Sequence, residues 1–177
     1  YEECNDPLTL LCILYKHNNS LEVELARQTI TKLKSMIPED NYNFLMRVRL
    51  RELYYIYYFY SSTADVEYQE TYKYVKEHPL VSSRVQKNFH YNYAMYLLSK
   101  GRVEESIIVF DRFFAVDDMF DIYAESISAM CHVMINKKIT RAYDLSKLDY
   151  SNIYACILEY CIMKQNNSNI NTIILRK

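Results

Sequence analysis

A single glycine in 177 residues constrains this chain more than any other sequence feature. Glycine adopts the left-handed conformation that ends many helices, so its only occurrence, Gly101, marks one well-defined turn. Apolar residues recur at helical steps of three and four on both sides of it, namely Phe89, Tyr93, Tyr96 and Leu97 before the turn and Val103, Ile107, Phe110 and Phe114 after it. We therefore predict a helical hairpin over residues 88–118 and a left-handed backbone at Gly101.

Weaker copies of this hairpin recur along the chain. Pro38 and Pro79 lie 41 residues apart, and Asp118 follows Pro79 by 39 residues. This spacing is near the period of about 40 to 47 residues of some helical-pair repeats. The sequence predicts an all-α fold in which four to five antiparallel hairpins stack into a right-handed superhelix, as one helical-repeat domain over residues 1–177.

Two stretches give less direct signals. Between Leu53 and Phe59 no helical face is polar, and the aromatic residues there also favour strands. A pattern of about twenty residues without a turn signal is too long for a strand, so we predict a buried helix. The fourth repeat has a clear first arm from Tyr123 to Met134, and we predict a shorter second arm from Thr140 to Leu148.

The hairpin resembles a tetratricopeptide repeat. The positions that correspond are the small residues of both helices, the turn glycine and a following aromatic residue: Ala94, Ser106, Gly101 and Phe110. The chain departs from that family at Phe113, where a small residue is usual, and at Asp118, where a closing proline is usual. It also departs in its period, since the family repeats every 34 residues or so.

This resemblance implies a scaffold that binds a protein or peptide on its concave face, which the first helices of the repeats line. Carried onto this chain, the family's groove positions and one neighbouring asparagine give the candidate binding residues Arg49, Glu52, Asn88, Tyr91, Asn92 and Met95. Asparagine both donates to and accepts from a peptide backbone, whereas tyrosine and methionine supply adaptable apolar contacts. Ordinary packing between helices is an equally open interpretation of Tyr91 and Met95.

A second interpretation makes the chain the peptide-sensing domain of a bacterial transcription regulator. It would then resemble the peptide-pheromone receptors that join a helix-turn-helix to a tetratricopeptide-like domain, with the DNA-binding part absent from this chain. Because the chain opens on Tyr1 and stops at Lys177, we expect it to be a piece of a longer protein. We also expect the apolar ends of the stack to favour self-association.

The composition of the chain limits the kinds of partner and environment that we expect for it. With 21 basic and 22 acidic residues the net charge is -1, without the basic excess of a nucleic-acid-binding surface. Five cysteines without framework spacing indicate reduced thiols, and so a cytoplasmic protein. No run of about 18 apolar residues occurs, so we expect no membrane insertion.

Nothing in the sequence indicates catalysis. A phosphate-binding loop needs several glycines, and the four histidines include no pair at the spacing of three or four that a helical metal site uses. The adjacent acids Glu104 and Glu105 diverge by about 100° on a helix, which prevents them from sharing one site. We therefore expect no enzyme activity, no metal and no cofactor.

Overall fold

All regular structure in the described part of the chain is helical, which confirms the all-α prediction. The computed structural model describes residues 6–19, 22–38, 40–41, 44–50, 53, 64–77, 81–117 and 119–166. The helices are α1 (Pro7–Asn19), α2 (Val23–Met36), α3 (44–50), α4 (Ala64–Glu77), α5 (Ser83–Ser99), α6 (Val103–Val116), α7 (Ile122–Met134) and α8 (Ile153–Gln165), with a 3-10 helix at Leu145–Lys147. Of the predicted helix over 53–59, Leu53 is helical and buried, and the others lie outside the described residues.

The chain divides into two compact units, an N-terminal unit of residues 1–92 and a C-terminal unit of residues 93–177. The boundary falls within α5. The single-domain assignment stays a prediction.

In the N-terminal unit, α1 and α2 form the first hairpin. The carboxylate of Asp6 accepts a hydrogen bond from the Thr9 backbone N–H at 2.8 Å and so caps α1, with Pro7 in the first turn. Helix α2 ends at Met36 just before Pro38, as the sequence predicted. The two helices share a buried apolar core of Leu10, Leu11, Leu14, Ala26, Ile30, Leu33 and Ile37.

In the C-terminal unit, Gly101 ends α5 with a φ of +73°, which confirms the predicted left-handed turn. The N–H of Arg102 donates to the carbonyl of Leu97 at 3.0 Å, and the N–H of Gly101 donates to Leu98 at 3.0 Å. These two bonds are those of a Schellman motif, in which the residue after the helix is left-handed. Carbonyls that would otherwise lack partners at the helix end are thereby satisfied.

The small residues predicted on the two arms of the hairpin meet. Ala94 of α5 and Ser106 of α6 are fully buried, and the Ser106 hydroxyl donates to the Ala94 carbonyl at 2.9 Å. A larger side chain at either position would separate the backbones, which explains the small residues there.

A second left-handed turn, which the sequence did not reveal, ends α7. Asn136 has a φ of +54°, and the N–H of Lys137 donates to the carbonyl of His132 at 2.9 Å. Asparagine tolerates this conformation better than other residues with a side chain. The chain then leaves α7 without starting another α-helix.

The predicted second arm from Thr140 to Leu148 is wrong, because residues 137–144 are not helical and only a 3-10 turn follows them. This segment carries the chain back along α7, so that α7 and α8 run parallel. Tyr123 and Tyr154, at the two helix starts, contact edge to face with ring centroids 4.6 Å apart. At the other end, the N–H of Ile139 donates to the side chain of Gln165 at 2.8 Å.

A buried carboxylate holds the returning segment in place. Glu125 of α7 is fully buried, its Oε1 lies 2.9 Å from Nη2 of Arg141, and its Oε2 accepts a hydrogen bond from the Tyr143 hydroxyl at 2.7 Å. The Arg141 guanidinium also lies 4.3 Å from the ring centroid of Phe114. Burial, followed by the bond to Glu125, raises the pKa of Tyr143, so its hydroxyl stays a donor. A continuous helix over this segment would forgo these contacts.

Substitution of Gly101 should cost backbone strain alone, because a Cβ added there meets no atom within 4 Å. We expect Gly101→Ala to lower the free energy of unfolding by about 1–2 kcal/mol and Gly101→Val by more, since β-branched residues fit the left-handed region worst. Of the three variants, Gly101→Asn should lower the free energy of unfolding least. Urea unfolding measures the series, and equal stability of all four proteins would contradict the assignment.

Removing the charge of Glu125 should destabilise the protein strongly, because Arg141 loses its counter-ion and the remaining amide oxygen can replace only one of the two carboxylate oxygens that face Arg141 and Tyr143. We expect Glu125→Gln to lower the free energy of unfolding by about 3 kcal/mol. The matched control is Glu105→Gln, which removes an exposed pair with Arg102 and should change it by under about 1 kcal/mol. Similar losses for both variants in denaturant titrations would show that the Glu125 contacts contribute little.

Candidate functional site

The N-terminal unit contains a polar pocket of about 330 Å³. Side chains from three helices, α1, α3 and α5, surround it. The lining residues are Tyr15, Arg47, Leu50, Arg84, Val85, Asn88 and Asn92.

One face of α5 supplies three of the polar groups. Arg84, Asn88 and Asn92 follow one another at steps of four residues, which places them in one row along the helix. The side-chain Nδ2 of Asn92 donates to the backbone carbonyl of Asn88 at 2.6 Å. This bond fixes the amide of Asn92 and leaves its oxygen to accept from a ligand.

The pocket carries a local positive charge. Arg47 of α3 and Arg84 of α5 are both exposed, and neither makes an ion pair within the described residues. No acidic side chain is among the lining residues. Two guanidinium groups without a carboxylate beside them attract an anion, and each can bind a carboxylate through two parallel hydrogen bonds.

Of the candidate binding residues predicted from the sequence, the structure brings Asn88 and Asn92 together in this pocket. Tyr91 and Met95 are half-buried on α5 and do not line it. Met95 belongs to the C-terminal unit. Glu52 lies outside the described residues.

Arg49 lies away from this pocket, in contacts with α4. Its Nε donates to the Thr71 hydroxyl at 2.9 Å, and its Nη2 forms an ion pair with the Glu67 carboxylate. On a helix, residues two apart point roughly 200° from each other, which explains why Arg47 reaches the pocket and Arg49 does not. Arg49 instead borders a second, mostly apolar pocket of about 350 Å³, also lined by Lys34, Leu45, Met46, Glu70, Thr71 and Tyr74.

Sequence reasoning missed both arginines of the polar pocket. The signal for Arg84 was present, because this residue precedes Asn88 by one helical turn and shares its face. No comparable signal pointed to Arg47 or Tyr15, since only the folded chain brings α1 and α3 beside α5.

Two of the four described cysteines, Cys131 and Cys161, are buried. Cys12, Cys131, Cys156 and Cys161 carry free thiols. Burial raises the pKa of Cys131 to about 11, which keeps its sulfur protonated and weakly nucleophilic. Burial also raises the pKa of Cys161. No group of three histidine, cysteine or acidic side chains in the described ranges is arranged to hold a metal ion.

Comparison of the chain with protein-family models, with curated proteins and with solved structures finds no match. Among the helices that the structure describes, none combines the length and the apolar character needed to cross a membrane.

The two arginines of α3 should differ in their effect on stability. We expect Arg49→Ala to lower the free energy of unfolding by about 1–3 kcal/mol, because it leaves the half-buried Glu67 carboxylate without its counter-ion and removes a hydrogen bond to the buried Thr71 hydroxyl. Arg47→Ala should change it by under about 0.5 kcal/mol, since the side chain is exposed. Thermal and urea unfolding of both variants measure this, and a larger loss for Arg47→Ala would contradict the assignment of Arg47 to a free binding surface.

Proposed function

We propose that this protein is a helical-repeat interaction module that binds peptides through the polar pocket of its N-terminal unit. It acts by binding, without catalysis and without a cofactor. One observation carries the proposal. Two arginines that make no ion pair within the described residues line the same pocket as two asparagines that share one face of α5. Guanidinium groups recognise a carboxylate, while asparagine amides pair with the N–H and C=O of a peptide backbone.

The ligand we propose is a peptide with an acidic side chain or a free C-terminal carboxylate. A volume of about 330 Å³ is at the lower end for ligand pockets, so it would hold the carboxylate and its neighbouring residue while the rest of the peptide lies outside. Leu50 and Val85 add apolar contacts beside the charged groups. The charge of the pocket makes binding sensitive to salt.

We further propose that the hairpins belong to a right-handed, tetratricopeptide-like superhelix. The parallel packing of α7 and α8 supports this, because the first helices of successive repeats run parallel in such a stack. On this interpretation the extended segment between α7 and α8 replaces the second arm of one repeat. The free thiols of the described cysteines support a cytoplasmic setting.

A displayed library of random dodecapeptides with free C-termini tests the binding proposal. We expect selection on the wild-type protein to enrich peptides with an acidic residue or a defined C-terminus. Loss of one charged hydrogen-bonding partner should cost about 1.5–3 kcal/mol, so Arg84→Ala and Arg47→Ala should each weaken binding tenfold or more in fluorescence anisotropy. Asn92→Ala should weaken binding as well, without loss of thermal stability.

The matched control is Lys73→Ala, which removes an exposed cation of α4 that does not line the pocket. It should leave affinity unchanged. Amidation of the peptide C-terminus separates the two sources of carboxylate, because it affects only ligands that bind by their terminus. Equal affinity of the wild-type protein and the Arg47→Ala, Arg84→Ala double variant for the selected peptides would reject the pocket as the binding site.

A further inference from the structure

The most exposed residues of helix α7 lie in one narrow stripe, and they are apolar. Tyr123, Met130 and Met134 are 49%, 36% and 57% exposed, and they lie at steps of seven and four, on one face of the helix. Ile127 lies in the same row and is buried beneath it. We call these four residues the α7 stripe.

The buried positions of α7 include polar residues, whereas Ile122, His132 and Val133 are partly exposed. Glu125, Ser126 and Ser128 are all buried, and the Ser126 hydroxyl donates to the Ile122 carbonyl at 2.7 Å. A helix that binds nothing on its exposed face usually places its polar residues there and its apolar residues inside. In α7 both polar and apolar residues are buried, while the exposed positions are apolar, and this arrangement favours apolar contacts of the exposed face with a partner.

A group of cations lies at the end of α7 that follows Met134. Parallel packing brings the C-terminal ends of α7 and α8 together around a cleft of about 530 Å³. The residues lining this cleft are Val133, Asn136, Lys137, Lys138, Lys164, Gln165 and Asn166. We call it the lysine cleft.

The positive charge of the lysine cleft exceeds what its own surroundings neutralise. Lys137 pairs with Glu104 at 3.4 Å, whereas Lys138 and Lys164 make no ion pair within the described residues. The carboxyl ends of α7 and α8 each contribute about half a negative charge. About one positive charge therefore remains for a ligand.

We propose that the α7 stripe and the lysine cleft together bind an amphipathic helix of a partner protein. The stripe spans eleven residue steps of α7, or about 16 Å, which suits two to three turns of a bound helix. Methionine adapts to apolar side chains of different shapes. The lysine cleft selects a partner helix that carries acidic residues at the end lying against it.

Charge also distinguishes this partner from a second copy of the chain. In an antiparallel pair of α7 helices, the lysine cleft of one copy would face the start of α7 in the other, where the Asp121 carboxylate already accepts hydrogen bonds from the N–H groups of Tyr123 and Ala124 at the positive end of the helix dipole. A parallel pair would place lysines against lysines. A second copy therefore offers Lys138 and Lys164 either lysines or a carboxylate that its own helix start already engages, whereas an acidic partner helix offers several carboxylates.

Two displayed libraries of 16-residue helical peptides test this proposal independently of the polar pocket. Both libraries randomise the apolar positions at helical spacing, and they differ in having three glutamates or three lysines at one end. We expect selection on the wild-type protein to enrich binders from the glutamate library by at least tenfold over the lysine library. We also expect Met130→Gln with Met134→Gln to weaken the selected binders about tenfold or more in fluorescence anisotropy. Lys138→Glu with Lys164→Glu should reverse the preference between libraries.

The control is Arg84→Ala, which alters the polar pocket and should leave the selected helices bound as before. Circular dichroism of each variant shows that its helices persist, since the four changed side chains are exposed or half-exposed. The proposal is overturned if neither library yields a binder, or if the binders tolerate both methionine substitutions. It is also overturned if sedimentation shows a dimer of the wild-type protein that the methionine substitutions abolish, because the second copy then occupies the stripe.

Discussion

The architecture of the C-terminal unit depends on one buried carboxylate. Glu125 has no access to water, and Arg141 and Tyr143, which reach it from a segment that is not helical, offset the cost of burying its charge. The segment must therefore lie along α7, and it delivers the chain to the starting end of that helix. Helix α8 consequently packs parallel to α7, and the carboxyl ends of the two helices surround the lysine cleft.

The part of the fold that sequence predicts well is the part set by local chemistry. Periodic apolar residues predicted the helices. Pro38 predicted the end of α2, and the single glycine predicted the turn between α5 and α6. The non-helical return after α7 was not predictable in this way. Its cause is a contact between residues 16 and 18 positions apart in sequence, and the pattern gives no sign that the acid at position 125 faces inward. Asn136 was missed because asparagine also occurs in ordinary loops.

Of the candidate pocket, too, the sequence predicts only the part that depends on local structure. Spacing along one helix placed Asn88 and Asn92 on a common face, which the structure retains. The sequence did not predict which arginine of α3 lines the pocket, because the choice between Arg47 and Arg49 depends on the rotation of α3 about its axis. Successive side chains on a helix point about 100° apart. The rotation of α3 therefore decides which side chain points at α5 and which at α4. The pattern of apolar residues does not determine the rotation of a helix when apolar and charged residues are mixed around nearly all of its faces, as they are in residues 44–50.

A nearly neutral chain can still offer two positively charged sites, because net charge says nothing about where charges lie. Acidic residues pair with part of the basic set, as Glu67 does with Arg49 and Glu104 with Lys137. Arg47 and Arg84 in one unit, and Lys138 and Lys164 in the other, remain outside such pairs within the described residues. The two sites differ in the groups beside these charges. Asparagine amides accompany the arginines and suit an extended backbone, whereas methionines accompany the lysines and suit an apolar helix face whose own backbone bonds are already made.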